Sequence, residues 1–247
     1  MARPDAPSDE PYRARVKICG LTSVDDARRV LDAGPDAVGI NMVAGPRQVT
    51  ADVAGAIVSA ITTAASSGDK PTPCPVLLAR VTDDRLDDEV ERVIQQAGVQ
   101  WLQLYGEVTA RAIRSQLDAG RRPVPVVRVG GEDFAASFDE VLEACGRHRP
   151  PAVLLDAYHR DKLGGTGQPF RWSWVVEARE RGRLDGWPPI VLAGGLNPQN
   201  VAQAVQAVRP WAVDVSSGVE ADPGRKDPVK VAEFIRNARN AVPQGSA

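Results

Sequence analysis

The feature that most constrains this chain is its rhythm. From Val16 to Ala241, short apolar runs alternate with longer amphipathic stretches, and the alternation never breaks. The apolar runs predict strands at Val16–Gly20, Ala37–Met42, Val76–Val81, Trp101–Tyr105, Val124–Val129, Ala152–Ala157, Ile190–Ala193 and Val213–Ser216. Between and after them, helical spacing predicts helices over Val24–Ala33, Ala51–Ala65, Leu86–Ala97, Val108–Ala119, Phe134–Cys145, Trp172–Arg181, Pro198–Val208 and Pro228–Ala241. Ser66–Pro75 reads as loop, and His159–Phe170 is the longest connection. A junction recurs where helix gives way to strand: Asp32-Ala33-Gly34, Gln96-Ala97-Gly98 and Ala207-Val208-Arg209. Eight strand–helix units of roughly thirty residues each are what a single (β/α)₈ TIM barrel, an α/β fold, requires. A doubly wound open sheet is the alternative, weakened because no Gly-x-Gly-x-x-Gly follows the first strand. The domain plan is then residues 1–14 as a flexible extension, 15–242 as the barrel and 243–247 as a polar tail.

Composition narrows the function classes. Of 247 residues, 25% are charged, yet the formal net charge is only −2, which offers no electrostatic case for nucleic acid or a membrane surface. No apolar run approaches the ~18–20 residues of a membrane span. The cysteines Cys19, Cys74 and Cys145 lack CxxC spacing, so a reduced, cytoplasmic protein is expected rather than a disulfide framework. With His148 and His159 as its only histidines, the chain makes a poor case for a metal centre.

A barrel places its active site at the C-terminal ends of the strands. Those ends carry Cys19-Gly20, then Asn41-Met42 leading to Pro46-Arg47, Tyr105-Gly106-Glu107, Asp156, Ala193-Gly194-Gly195-Leu196-Asn197 and Asp214-Val215-Ser216-Ser217-Gly218-Val219-Glu220. The strand beginnings are mostly Pro, Ala and Val, so polarity is concentrated at one mouth. Gly194-Gly195 and Ser217-Gly218 close the seventh and eighth strands, where barrels commonly hold phosphate on backbone N–H groups. Strand alternation puts Lys17 and Cys19 on one face and Val16 and Ile18 on the other. Because first and eighth strands are neighbours in a closed barrel, Lys17 is expected to pair with Asp214. The other role open to it is support of a Cys19 thiolate. The cost of an unpaired buried ammonium favours the pair.

Lys17-Ile18-Cys19-Gly20, Gln103-Leu104, Leu154-Leu155-Asp156, Gly164-Gly165-Thr166-Gly167, Leu192–Pro198, Asp214–Glu220, Gly224 and Lys226-Asp227 together resemble the phosphoribosylanthranilate isomerase family of tryptophan biosynthesis. The resemblance implies a cofactor-free Amadori rearrangement of N-(5-phosphoribosyl)anthranilate. It makes Asp156 the acid that protonates the ribose ring oxygen and Cys19 the base that takes the C2′ proton. It also implies that Arg47 approaches the anthranilate carboxylate. Lys17, Gln103, Gly165 and Asp214 complete the expected substrate-binding set, and Gly194, Gly195, Ser217 and Gly218 the phosphate-binding set. The only partner implied is a small phosphoribosyl-arylamine, with the chain acting as a monomer or a homodimer.

Departures cluster on the second-to-fourth strands: Gly39-Ile40-Asn41-Met42 and Ala44-Gly45-Pro46-Arg47 stand where the family usually reads Gly-Phe-Val-Phe and Lys-Ser-Pro-Arg, Leu77-Leu78-Ala79-Arg80-Val81 where it reads Gly-Val-Phe-Val-Asn, Tyr105 replaces the usual histidine, and Arg171 in Phe170-Arg171-Trp172 the usual aspartate. A second reading therefore keeps the rearrangement on a different phosphoribosyl-arylamine. A third is a non-catalytic phosphosugar-binding barrel, against which the retention of both Cys19 and Asp156 argues. The related histidine-pathway isomerase uses an aspartate where Cys19 stands.

Overall fold

The computed structural model describes residues 12–66, 71–157 and 170–241. Its parallel strands are β1 (Arg15–Leu21), β2 (Ala37–Asn41), β3 (Cys74–Thr82), β5 (Trp101–Gly106), β6 (Arg122–Val129), β7 (Val153–Ala157), β8 (Ile190–Leu192) and β9 (Ala212–Val215), with β4 (Arg85–Leu86) attached antiparallel to β3. The strands follow one another as β2-β1-β9-β8-β7-β6-β5-β3, and a further β2–β3 pairing closes the ring. The eight-stranded barrel read from the rhythm is the fold. Among the described residues, eight helices connect or follow the strands: α1 (Val24–Leu31), α2 (Ala51–Ser66), α3 (Asp88–Ala97), α4 (Ala110–Asp118), α5 (Ala136–Cys145), α6 (Ser173–Glu180), α7 (Val201–Val208) and α8 (Pro228–Asn240).

Alternation along each strand divides the core in two. Val16, Ile18, Val38, Ile40, Leu77, Leu102 and Leu104 face outward and pack with helix residues such as Val30, Ile57, Val93 and Phe234. Inside, Ala37, Val76, Trp101, Val124, Ala152, Val191 and Ala212 form an apolar plug at the N-terminal end of the barrel. Two residues further along, the same strands carry buried Gln103 and Asp214 beside Lys17. Two further again stand Tyr105, Arg128 and, with Cys19 on β1, the residues of the mouth. Interior polarity therefore rises stepwise from one end to the other. That gradient is the barrel's way of keeping chemistry at the mouth and stability at the base.

Two of the three recurrent helix-to-strand junctions share a geometry, while α1 ends on Asp32 in the right-handed region. Gly98 caps α3 in the left-handed conformation, its N–H donating to Ile94 O, and Arg209 caps α7 the same way, donating to Val205 O. Arg209 adopts φ 49°, a region that costs a side-chain-bearing residue about 1–2 kcal/mol.

Element boundaries depart from expectation in one instructive place. The helix predicted from Leu86 starts at Asp88, because Arg85 and Leu86 fold back on Thr82 and Val81. The turn between them, Asp83-Asp84, has φ 51° and 62°, the signature of a tight two-residue hairpin. After β9, the chain also makes a short 3₁₀ turn (Ser217–Val219) and a small hairpin, β10 (Glu220–Asp222) with β11 (Arg225–Lys226). Most of the expected N-terminal extension, all of the 243–247 tail, and Gly164-Gly165-Thr166-Gly167 with His159 lie outside the described residues.

Candidate active site

A cavity opens at the C-terminal mouth. It is lined by Cys19 and Gly20 from the end of β1, Arg47 from the loop after β2, Tyr105 from β5, Arg128 from β6 and Asp156 from β7. The turns after β8 and β9 add Gly194, Gly195, Asp214 and Ser217. Both expected ionisable residues therefore face one space. Lys17 and Gln103 do not line it; they lie one layer below, 6% and 2% exposed.

Lys17 sits where the barrel's closure puts it. β1 and β9 pair in register Lys17↔Asp214, and the ammonium donates to Asp214 Oδ1 at 2.8 Å and to Gln103 Oε1 at 2.9 Å. Burial opposes the charge, but the Asp214 carboxylate and the adjacent Cys19 sulfur outweigh it, leaving the Lys17 pKa above its ordinary value. The thiol feels the opposite balance. Burial and the Asp214 charge push the Cys19 pKa up, against the pull of Lys17 and Lys226. Burial thus favours the protonated thiol, and the Lys17 ammonium works in the opposite sense, toward the thiolate.

Space for that sulfur is provided across the strand pair. Cys19 lies in register with Gly39 on β2, and a Cβ at Gly39 would stand 2.6 Å from Cys19 Sγ and 3.0 Å from Lys17 Nζ. A glycine inside a strand signals such a close approach.

Asp156 lies at the end of β7, and Arg128 Nη1 from the neighbouring β6 donates to its Oδ2 at 2.6 Å and to Ala157 O at 3.3 Å. The guanidinium orients the carboxyl group toward the cavity from one side. Arg128 was not among the residues expected from sequence. The signal existed: Val124, Val126 and Arg128 share the inward face of one strand, so a charge there points to the mouth.

Arg47 does meet a carboxylate, but it is the protein's own. Its Nε and Nη2 donate to Glu220 Oε1 and Oε2 at 2.6 and 2.7 Å, and Lys226 Nζ donates to Oε1 at 2.7 Å. The two cations outweigh burial and lower the Glu220 pKa. Gly20, at φ 81°, allows this arrangement: a Cβ there would fall 2.6 Å from Arg47 Cδ and 2.9 Å from Ser216 Oγ.

The glycine turns lie side by side. Gly194 and Gly195 adopt φ 83° and 69°, a double left-handed turn that presents backbone to the cavity. Gly218 does not line the cavity; a Cβ on it would collide with Leu196 O, so its role in the structure is to let the two turns touch. Gly165 lies outside the described residues. Cys145 is buried near Ile113 at the α4–α5 contact, away from the mouth, and Cys74 opens β3 at the opposite end.

An acidic group, a thiol and paired glycine turns around one opening make this a (β/α)₈ barrel with an ionisable small-molecule site at its C-terminal mouth. Comparison with known proteins gives the particular kind. The sequence model of the family described as N-(5'phosphoribosyl)anthranilate (PRA) isomerase matches residues 16–237, and the chain belongs to that family. N-(5'-phosphoribosyl)anthranilate isomerase of Citrifermentans bemidjiense is 38% identical over 229 residues, covering 91% of this chain and 97% of its own. The enzyme of that name from Azotobacter vinelandii is also 38% identical over 229 residues, covering 92% and 98%. Among solved structures, phosphoribosyl anthranilate isomerase from Thermotoga maritima superposes with TM-score 0.73 at 31% identity, over 91% of this chain and 98% of its own. A phosphoribosyl anthranilate isomerase in complex with reduced 1-(o-carboxyphenylamino)-1-deoxyribulose 5-phosphate gives 0.71 at 30% identity, with the same coverage.

Proposed function

We propose that this chain converts N-(5-phosphoribosyl)anthranilate to 1-(2-carboxyphenylamino)-1-deoxyribulose 5-phosphate, with Asp156 as acid and Cys19 as base. The observation that carries the reading is that both groups line one cavity that Gly194, Gly195 and Ser217 also line. The phosphate is received by backbone N–H groups of the Gly194-Gly195 turn and by the Ser217-Gly218 turn, where charge-assisted hydrogen bonds are worth about 1.5–3 kcal/mol each. Asp156 gives a proton to the ribose ring oxygen as the C1′–O bond breaks and the amine nitrogen forms a Schiff base with C1′. The Cys19 thiolate then removes the C2′ proton, and the electron pair passes to the C1′–C2′ bond to give an enolamine, which ketonises to product. Lys17 offsets the charge that builds on sulfur, and Asp214 and Gln103 hold Lys17 in place. Arg47 flanks the amine end of the substrate. The chain needs no cofactor for these steps and works in the cytoplasm as a monomer or homodimer.

The test is the loss of anthranilate fluorescence as phosphoribosylanthranilate is consumed. Cys19→Ala and Asp156→Asn are each expected to lower kcat by at least ~10²-fold. Turnover near that of the unsubstituted protein in both variants would sink the mechanism.

A further inference from the structure

One fully buried lysine takes no part in the steps above. The Lys226 side chain, on β11, has no exposed surface and does not line the cavity. Its place is fixed from several sides. Its backbone N–H donates to Asp26 Oδ1 at 2.7 Å, in the first turn of α1, and the residue pairs in register with Glu220 on β10. Its Nζ donates to Glu220 Oε1 at 2.7 Å and to Ser216 O at 3.1 Å.

The last of these contacts reaches the turn after β9 from behind. In a parallel strand ψ is about +115°, whereas Ser216, the residue following β9, has ψ −85°. The Ser216–Ser217 peptide unit is thereby swung out of the ladder, and its carbonyl meets Lys226 in the interior. The Val219 N–H donates to the same oxygen at 3.4 Å. A trans peptide is planar, with C=O and N–H on opposite sides, and no cis bond occurs among the described residues. The Ser217 N–H therefore points away from Lys226, to the side on which Ser216 and Ser217 line the cavity. It has no acceptor among the described residues.

We infer that Lys226 is a positioning residue: by holding Ser216 O beneath the mouth, it aims the Ser217 N–H at the phosphate of the substrate. The inference rests on the isomerase reading and deepens it, naming a residue that acts on the phosphate through a peptide plane. Asp26 and Glu220 hold the lysine in turn, so α1 and the β10–β11 hairpin both bear on the geometry of that turn. Removing the lysine strands no charge. Arg47 still occupies Glu220 with two hydrogen bonds, and a methionine at 226 keeps the N–H that Asp26 accepts.

The experiment compares reduced 1-(o-carboxyphenylamino)-1-deoxyribulose 5-phosphate with its dephosphorylated counterpart, in the unsubstituted protein and in Lys226→Met. Titration calorimetry gives the ratio of the two affinities, which a partial loss of folding or a change at the Cys19 thiol does not move. Lys226→Met is expected to cut that ratio by about tenfold or more. Lys226→Gln, one bond shorter and still a donor, is the second variant and is expected to fall between the two. Amide NMR of the ligand-saturated protein separates aiming from simple attraction between charges. The phosphorylated ligand is expected to shift the Ser217 amide proton downfield in the unsubstituted protein, and Lys226→Met to lose most of that shift. A ratio unchanged in both variants, or a Ser217 shift that survives Lys226→Met in full, overturns the role of Lys226. A Ser217 proton that ignores the phosphorylated ligand in the unsubstituted protein overturns it without recourse to a variant. Equal binding of both ligands by the unsubstituted protein removes the phosphate site and the inference together, and binding of neither overturns the isomerase reading itself.

Discussion

Replacing Gly39 with alanine isolates the steric demand of the Cys19 thiol. The added methyl would lie 2.6 Å from Sγ and 3.1 Å from the Cys19 Cα, against an ordinary contact distance of about 3.5–4.0 Å. Relief requires a displacement of about 1 Å, and the side chain moves more readily than two hydrogen-bonded strands. Overpacking of this kind costs about 1–3 kcal/mol, or about 2–12 °C in Tm for a chain of this length. A misplacement of 1 Å in a reacting group lowers turnover by about 10²-fold. Gly39→Ala is therefore expected to lose about two orders of magnitude in kcat, followed by anthranilate fluorescence, while remaining folded by circular dichroism. The double variant with Cys19→Ala separates the causes: with the sulfur gone, most of the Tm loss should be recovered, a non-additive result for residues in contact. A Gly39→Ala protein with unchanged kcat, or a double variant whose losses simply add, would refute the reasoning.

The raised Cys19 pKa fixes the sign of the pH dependence: the reactive thiolate becomes more abundant as pH rises, so kcat/KM should climb about tenfold per unit from pH 7 to 9. A plateau reached below pH 8 would contradict it. The same shift means that the unfolded chain loses its thiol proton first, so this group's contribution to stability declines through the alkaline range. Asp214→Ala leaves the Lys17 ammonium buried without its anion and should cost about 3–5 kcal/mol in urea unfolding, with Lys17→Met/Asp214→Leu recovering much of it; a loss under about 1 kcal/mol would show the pair to be incidental. Arg209→Gly relieves a left-handed φ of 49° and should raise Tm by about 2–4 °C, whereas an unchanged or lowered Tm would mean the side chain's contacts matter more than the backbone.

What the chain reveals on reading, and what it hides, divide along the range of the interactions. Period and turn residues are local, and from them come the eight units, the mouth, and the placement of Cys19 and Asp156 there. The Lys17–Asp214 pair is also readable, although 197 residues separate its members, because barrel closure makes the first and last strands neighbours whatever their sequence. Pairings that depend on side-chain reach are not readable in that way. Nothing local distinguishes Glu220 as the partner of Arg47, 173 positions earlier, or tells that Arg128 will turn to Asp156. The hairpin at Arg85–Leu86 was hidden for a different reason. Its apolar Leu86 fits the period of the following helix, and the turn is made by two aspartates rather than by the usual glycine. Gly39 lies between these cases. Its presence in a strand is visible, but the sulfur it accommodates belongs to another strand.

The Lys17–Asp214 contact has a bearing on how the molecule comes into being. Synthesis delivers Lys17 well before Asp214, 197 positions later, so over that interval the lysine lacks the carboxylate it meets in the folded barrel. Closing a loop of that length is entropically slow, and an ammonium resists entering an apolar interior without its anion. A premature ring lacking β9 would have to swallow that charge bare. Burial of Lys17 inside the ring is therefore favoured only once β9 has supplied Asp214.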